Sequence, residues 1–143
     1  MKLSEAVREL IRLGDASRVY WDRELRKSHP RYPFIRAGET SPPPPPEDAQ
    51  IEALLKSLPE DQVYILIVLT YVGPATFKAD DLPSAYQTMK EIFSSKDLAI
   101  AQMTGTITLA DDLTDAMEAL QKRHIDVDSL KFESTLAVTS PGE

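Results

Sequence analysis

Two histidines and no cysteine leave this chain few ways to hold a metal or run nucleophilic chemistry. Zinc takes a tetrahedral set of Cys, His or carboxylate, and with His29 and His124 as the only histidines and no cysteine a zinc site is not expected. His124 follows Lys122 and Arg123 at the end of an amphipathic stretch, where cations suit a helix C-terminus. Asp111, Asp112, Asp115 and Glu118 form an acidic group, and Asp111 and Asp115 are four apart on one helical face. Calcium or magnesium would need further oxygen ligands, and no EF-hand loop is present. The group reads as a solvated face, with its first-turn acids suited to the helix dipole and Glu118–Lys122 as an exposed pair. Ser17, in "LGDASR", lies near Asp15 but has no histidine placed as a base, so it reads as a helix-surface or capping residue. There is no G-x-S-x-G, S-x-x-K, P-loop or G-x-G-x-x-G pattern. No catalytic, cofactor-binding or metal-binding residue is assigned, and the reading leans against an enzyme.

Two places have chemistry suited to binding. The stretch "RELRKSHPRYPFIR" sets Arg23, Arg26, Lys27, Arg31 and Arg36 around Tyr32 and Phe34. Interleaved cations and aromatics can bind single strands by charge and stacking. They can equally pin an arm to an acidic body, and no nucleic-acid module signature accompanies them. The second place is Tyr64, Ile67 and Tyr71, which share a face of one helix. Buried tyrosines need a hydroxyl partner. Core packing explains this face; a small pocket or a dimer contact is the functional alternative.

The elements that hold these residues follow from pattern. Residues 3–27 read as a helix, with Leu3, Val7, Leu10, Trp21 and Leu25 on one stripe. Gly14 lies on that stripe; it either admits a close neighbour or ends one helix and starts a second at Asp15. Residues 28–46 hold seven of the eleven prolines and read as a connector, with Pro42 to Pro46 as an extended rod. "SPPPPP" also has the form of a ligand for proline-binding domains, though a spacer is the simpler account. Pro46 suits a helix start, with Glu47 and Asp48 in its first turn and Ile51, Leu54, Leu55 and Leu58 as its apolar face.

"VYILIVLTYV", Val63 to Val72, is too short to span a membrane. Its β-branched residues favour a strand. Its boundaries favour a helix: "SLPE" has capping-box form with Ser57 as cap, and Gly73–Pro74 is a stop. The one strand partner in sight is "LKFESTLAV", Leu130 to Val138. A helix apolar on every side belongs at the centre of a fold. Beyond it, Asp80 or Asp81 can cap a helix holding Leu82, Tyr86, Met89 and Phe93. "DLAIAQM" is a short apolar piece. "TLAD" caps a helix with Leu109, Leu113, Ala116, Met117 and Leu120 inward. The expected architecture is all-α, an irregular orthogonal bundle of five to six helices around one central apolar helix. Residues 1–27, 28–46, 47–125 and a loosely ordered tail, 126–143, make one domain overall.

The formal net charge of −7 is unevenly spread: residues 1–36 hold nine Lys/Arg against five Asp/Glu, and residues 37–143 seven against eighteen. An acidic body disfavours broad nucleic-acid or anionic-membrane binding. Absence of cysteine and of an apolar export segment fits the cytoplasm.

"LLKSLPEDQVYILIVLTYVG" through "LADDLTDAMEALQ" resembles the DUF3775 family, bacterial proteins of unknown function. That family is similar in its acidic cap, its central apolar helix ending in glycine, and a following acidic stretch with an aromatic, here Phe77, Asp80 and Asp81. It closes on a helix in which Leu109, Leu113, Met117 and Leu120 stand in the matching places. The resemblance covers about residues 3–125. Where the family often has an arginine after the glycine, this chain has Pro74 and Ala75. The resemblance implies no chemistry. The expected function is a protein–protein interaction or self-association module, with a protein partner or a second copy in a homodimer. The alternatives are a small-molecule-binding protein with a pocket near Tyr64 and Tyr71, and then a nucleic-acid-associated regulator using the basic arm.

Overall fold

The computed structural model describes residues 1–28, 43–74 and 78–132, with the side chains of residues 25–28 and 79 outside that description. Among the described residues there are six α-helices: α1 (Leu3–Ser28), α2 (Pro46–Ser57), α3 (Glu60–Val72), α4 (Leu82–Ile92), α5 (Lys96–Thr104) and α6 (Leu109–Lys122). Single helical turns lie at Ala79–Asp81 and Val127–Ser129, and no strand occurs among the described residues. The molecule is an all-helical bundle, as the apolar periodicity predicts.

The uncharged decapeptide is helical and central. Val63 to Thr70 and Val72 are all buried, and α3 packs against α4, α5 and α6. Thirteen residues make a helix of about 20 Å, short of a bilayer core. No helix among the described residues is long and apolar enough to cross a membrane. α6 lies between α1 and α3, while α2 pairs with α1 and rests on α5.

Glycine explains how α6 fits between its neighbours. α1 runs unbroken through Gly14, so the close-neighbour alternative holds: an added Cβ there would lie 3.1 Å from Ala110 Cβ and 3.2 Å from Ala110 N. At Gly73 an added Cβ would lie 2.1 Å from the Asp112 carbonyl oxygen. Both glycines therefore let backbone approach the first turns of α6.

Several cap expectations are corrected. Ser57 does not cap α3; it ends α2, and its hydroxyl donates to the Leu54 carbonyl. Pro59 holds the cap position of α3, without a side-chain hydrogen bond. Thr108 occupies the cap position of α6, but its hydroxyl donates to the Asp112 carboxylate 2.9 Å away. Asp81 stands at the cap of α4 without a capping bond, and Asp80 pairs with Arg123 instead. α5 has the cap that pattern reading missed: Ser95 Oγ accepts the Leu98 N–H at 3.2 Å. The common cause is competition, since short polar side chains bond whichever partner the packing brings nearest.

Residues 126–132, expected to be loosely ordered, are held to the body. Val127 is buried, and the Phe132 ring centroid lies 5.1 Å from that of Tyr86. Asp128 accepts the Ser4 backbone N–H at 2.8 Å and its hydroxyl at 2.7 Å, so it closes the start of α1 across the fold. Residues 133–143, with most of the weak strand pattern, lie outside the described residues.

Candidate functional site

The second half of α1 carries the features most suited to binding. Ser17 and Trp21 are one helical turn apart and face the first turn of α2. The Ser17 hydroxyl donates to Asp48 Oδ1, and Trp21 Nε1–H donates to Asp48 Oδ2 at 3.0 Å. Ser17 is only 8% exposed, which corrects its reading as a surface or capping residue. A buried hydroxyl needs a partner, and Asp48 supplies it. The Tyr20 hydroxyl donates to the Pro43 carbonyl, and the Tyr20 and Trp21 rings meet edge to face with centroids 5.4 Å apart. These bonds join both sides of the proline-rich connector's end to α1.

Beside this network lies a cleft of about 310 Å³. Ser17, Trp21 and Asp48 form one wall, and Thr104, Gly105 and Thr106, from the end of α5 and the turn after it, form the other. Ile107 stands at its lip and also lines a neighbouring, larger cleft of about 610 Å³ with Arg18, Val19, Asp22 and Arg23. Val19 and Ile107, both in this second cleft, are 58% and 50% exposed. Arg18 reaches Asp15 at 3.1 Å and Asp111 at 3.4 Å, and so ties α1 to α6.

Of the basic arm, Arg23 is at this rim, 3.1 Å from Glu24 and with its guanidinium 5.9 Å from the Tyr20 ring centroid. Arg26 and Lys27 belong to the last turn of α1, their side chains outside the described residues. Arg31, Tyr32, Phe34 and Arg36 lie wholly outside them, as does His29.

The tyrosine face is placed differently from its functional alternative. Tyr64 and Ile67 are buried in the core at 1% and 0% exposure, and Tyr71 is half-buried. The Tyr64 hydroxyl donates to the Phe93 carbonyl, its ring lies 6.2 Å from Tyr86, and the Lys90 ammonium sits 5.1 Å from the Tyr64 centroid. Burial pushes the Tyr64 and Tyr86 hydroxyls up from their ordinary range. Neither cleft described above is lined by a residue of this face, and α3 is enclosed by α4, α5 and α6.

The acidic group on α6 is spread out. Asp111 pairs with Arg18, and Asp112 is bonded to Thr108; burial raises the Asp112 carboxyl against that bond. No group of three or more His, Cys, Asp or Glu converges as a metal site among the described residues. His124 takes a left-handed backbone, φ 56°, just past α6.

Pattern reading could place Trp21 on the buried stripe and Asp48 in a first turn. It had no signal that the two would meet, because the pairing spans the connector. No family model, curated protein or solved structure matches the chain.

Proposed function

We propose that the protein is a protein–protein interaction or self-association module without catalytic activity, and that the second half of α1 with Ile107 meets the partner. One observation carries the reading: Val19 and Ile107, both half or more exposed, line a single cleft flanked by Arg18 and Arg23. Apolar anchors with a polar, charged rim are the anatomy of an interface. The surface also lies where α1 leads into the basic, aromatic stretch holding Arg26, Lys27, Arg31, Tyr32, Phe34 and Arg36. A second copy of the chain offers the complementary charge, since residues 37–143 carry eighteen Asp/Glu against seven Lys/Arg.

The test is light scattering on the full chain across concentration and salt. The expected result is a dimer that weakens with added salt and falls to a monomer in Val19→Glu, whose thermal unfolding midpoint matches that of the dissociated parent chain. A monomer at every concentration that captures no protein partner would overturn the reading. A cytoplasmic setting and membership of the DUF3775 family belong to the same proposal. The first is supported by the absence of cysteine, the second by "LPEDQVYILIVLTYVG" and the leucine spacing of α6.

A further inference from the structure

We propose that the cleft between α1, α2 and the end of α5 binds the ammonium or guanidinium group of a small organic cation, with Asp48 as counter-charge. At about 310 Å³ the cleft has the size of a site for a small ligand. The polar side chains of its lining present mainly acceptors. The Ser17 hydroxyl spends its proton on Asp48. The Thr104 hydroxyl donates to the Ala101 carbonyl at 3.1 Å, and the Thr106 hydroxyl to the Gln102 carbonyl at 2.7 Å. Each hydroxyl oxygen therefore keeps lone pairs and has no proton to give. α5 ends here, and the C-terminal end of a helix carries partial negative charge.

Asp48 completes the argument. A carboxylate has about four acceptor positions, and Ser17 and Trp21 occupy one on each oxygen. Both donors are neutral, so these two bonds leave the charge unbalanced. Among the described residues no cation pairs with Asp48; the nearby Arg18 is committed to Asp15 and Asp111. An anion entering the cleft would meet the like charge of Asp48, and the three hydroxyl protons there are already donated elsewhere. A cation with N–H groups meets a carboxylate, three hydroxyl oxygens and the side chain of Trp21, the residue type that holds cations best. The Trp21 ring is held in place by its own bond to Asp48.

The cleft adjoins the proposed interface at Ile107, but the inference does not need association and survives if the chain proves monomeric. Trp21 is the only tryptophan and lines this cleft, so its fluorescence reports on binding there, and a titration of Val19→Glu, which removes association, gives the cleft's signal by itself. The full chain is titrated with agmatine and putrescine as free amines, with Nα-acetyl-lysinamide as a peptide side chain, and with glutarate as an anion of similar size. The expected result is saturable change in Trp21 emission with a Kd below about 1 mM for at least one of the cations, and none with glutarate. Preference for the free amines marks a small-molecule site; preference for the lysinamide marks capture of a basic peptide side chain.

Asp48→Asn should weaken binding at least about tenfold, the loss expected when a charge-assisted bond becomes neutral. Should that variant fail to fold, Thr106→Lys decides: it sets a cation at the wall, leaves the Ser17–Asp48–Trp21 network intact, and should weaken binding by a similar factor. The proposal is overturned if no cation binds below about 1 mM, if glutarate binds as well as the amines, or if the folded variants bind like the parent chain.

Discussion

Asp128 closes the start of a helix from which it is remote in sequence. Hydrogen bonds from the Ser4 hydroxyl and backbone N–H hold its carboxyl below the usual carboxylate range. A lowered value means stability present above the unfolded-state value and lost as pH falls through the folded-state value. Asp128→Ala should therefore lower the unfolding midpoint at neutral pH, and the gap to the parent chain should close in acid. Asp112 works in the opposite sense, since burial raises its carboxyl. Its protonated form is favoured in the fold, and that advantage is lost as pH rises through the carboxylate range. Asp112→Asn should raise the neutral-pH midpoint, with the gain vanishing in acid; a pH series of thermal melts on both variants checks the two signs together. His124 presents a backbone question. Its left-handed φ follows α6 directly, where its N–H bonds to the Gln121 carbonyl at 3.0 Å and the Ile125 N–H reaches the Leu120 carbonyl at 2.9 Å. Glycine takes that conformation without strain, so His124→Gly should stabilise by up to about 1 kcal/mol in urea unfolding.

Helices pack here through two small contacts. Gly73 has ordinary right-handed backbone angles, so its need is for space and not for unusual conformation. A methyl group there would overlap the Asp112 backbone, whereas one at Gly14 would press on Ala110 at a tight but near-ordinary distance. Gly73→Ala should cost about 3 kcal/mol and Gly14→Ala about 1 kcal/mol, both as overpacking. Equal costs in denaturant melts would show that α6 does not depend on the α3 contact as described. The central position of α3 has its own measure. Leu66 is fully buried, and Leu66→Ala should cost about 3 kcal/mol from lost burial and a cavity. Val19→Ala, at a 58% exposed position, should leave the midpoint of an isolated chain nearly unchanged.

The whole molecule divides by charge. A basic N-terminal part joins an acidic body, and Arg18–Asp111 is one described contact between them. That pair is exposed and contributes little on its own. Charge distribution therefore bears on association more than on stability. If a second copy occupies the Val19–Ile107 surface, dimer affinity should fall steeply with salt while the unfolding midpoint of the dissociated chain barely moves; scattering and calorimetry over one salt series would separate the two.

The helical class, the central place of Val63 to Val72 and the inward faces of α2, α4 and α6 were legible in the linear chain. Burial of a helix face depends on local spacing, and spacing is written in the sequence. The role of each short polar residue was not legible. Ser57, Thr108 and Asp81 had the types that cap helices, yet their bonds went elsewhere or were not made. Ser17, Trp21 and Asp48 meet across a connector, and Asp128 reaches Ser4 from near the far end of the described chain. A hydrogen bond is chosen by distances of a few tenths of an ångström, and those distances exist only once the helices have packed.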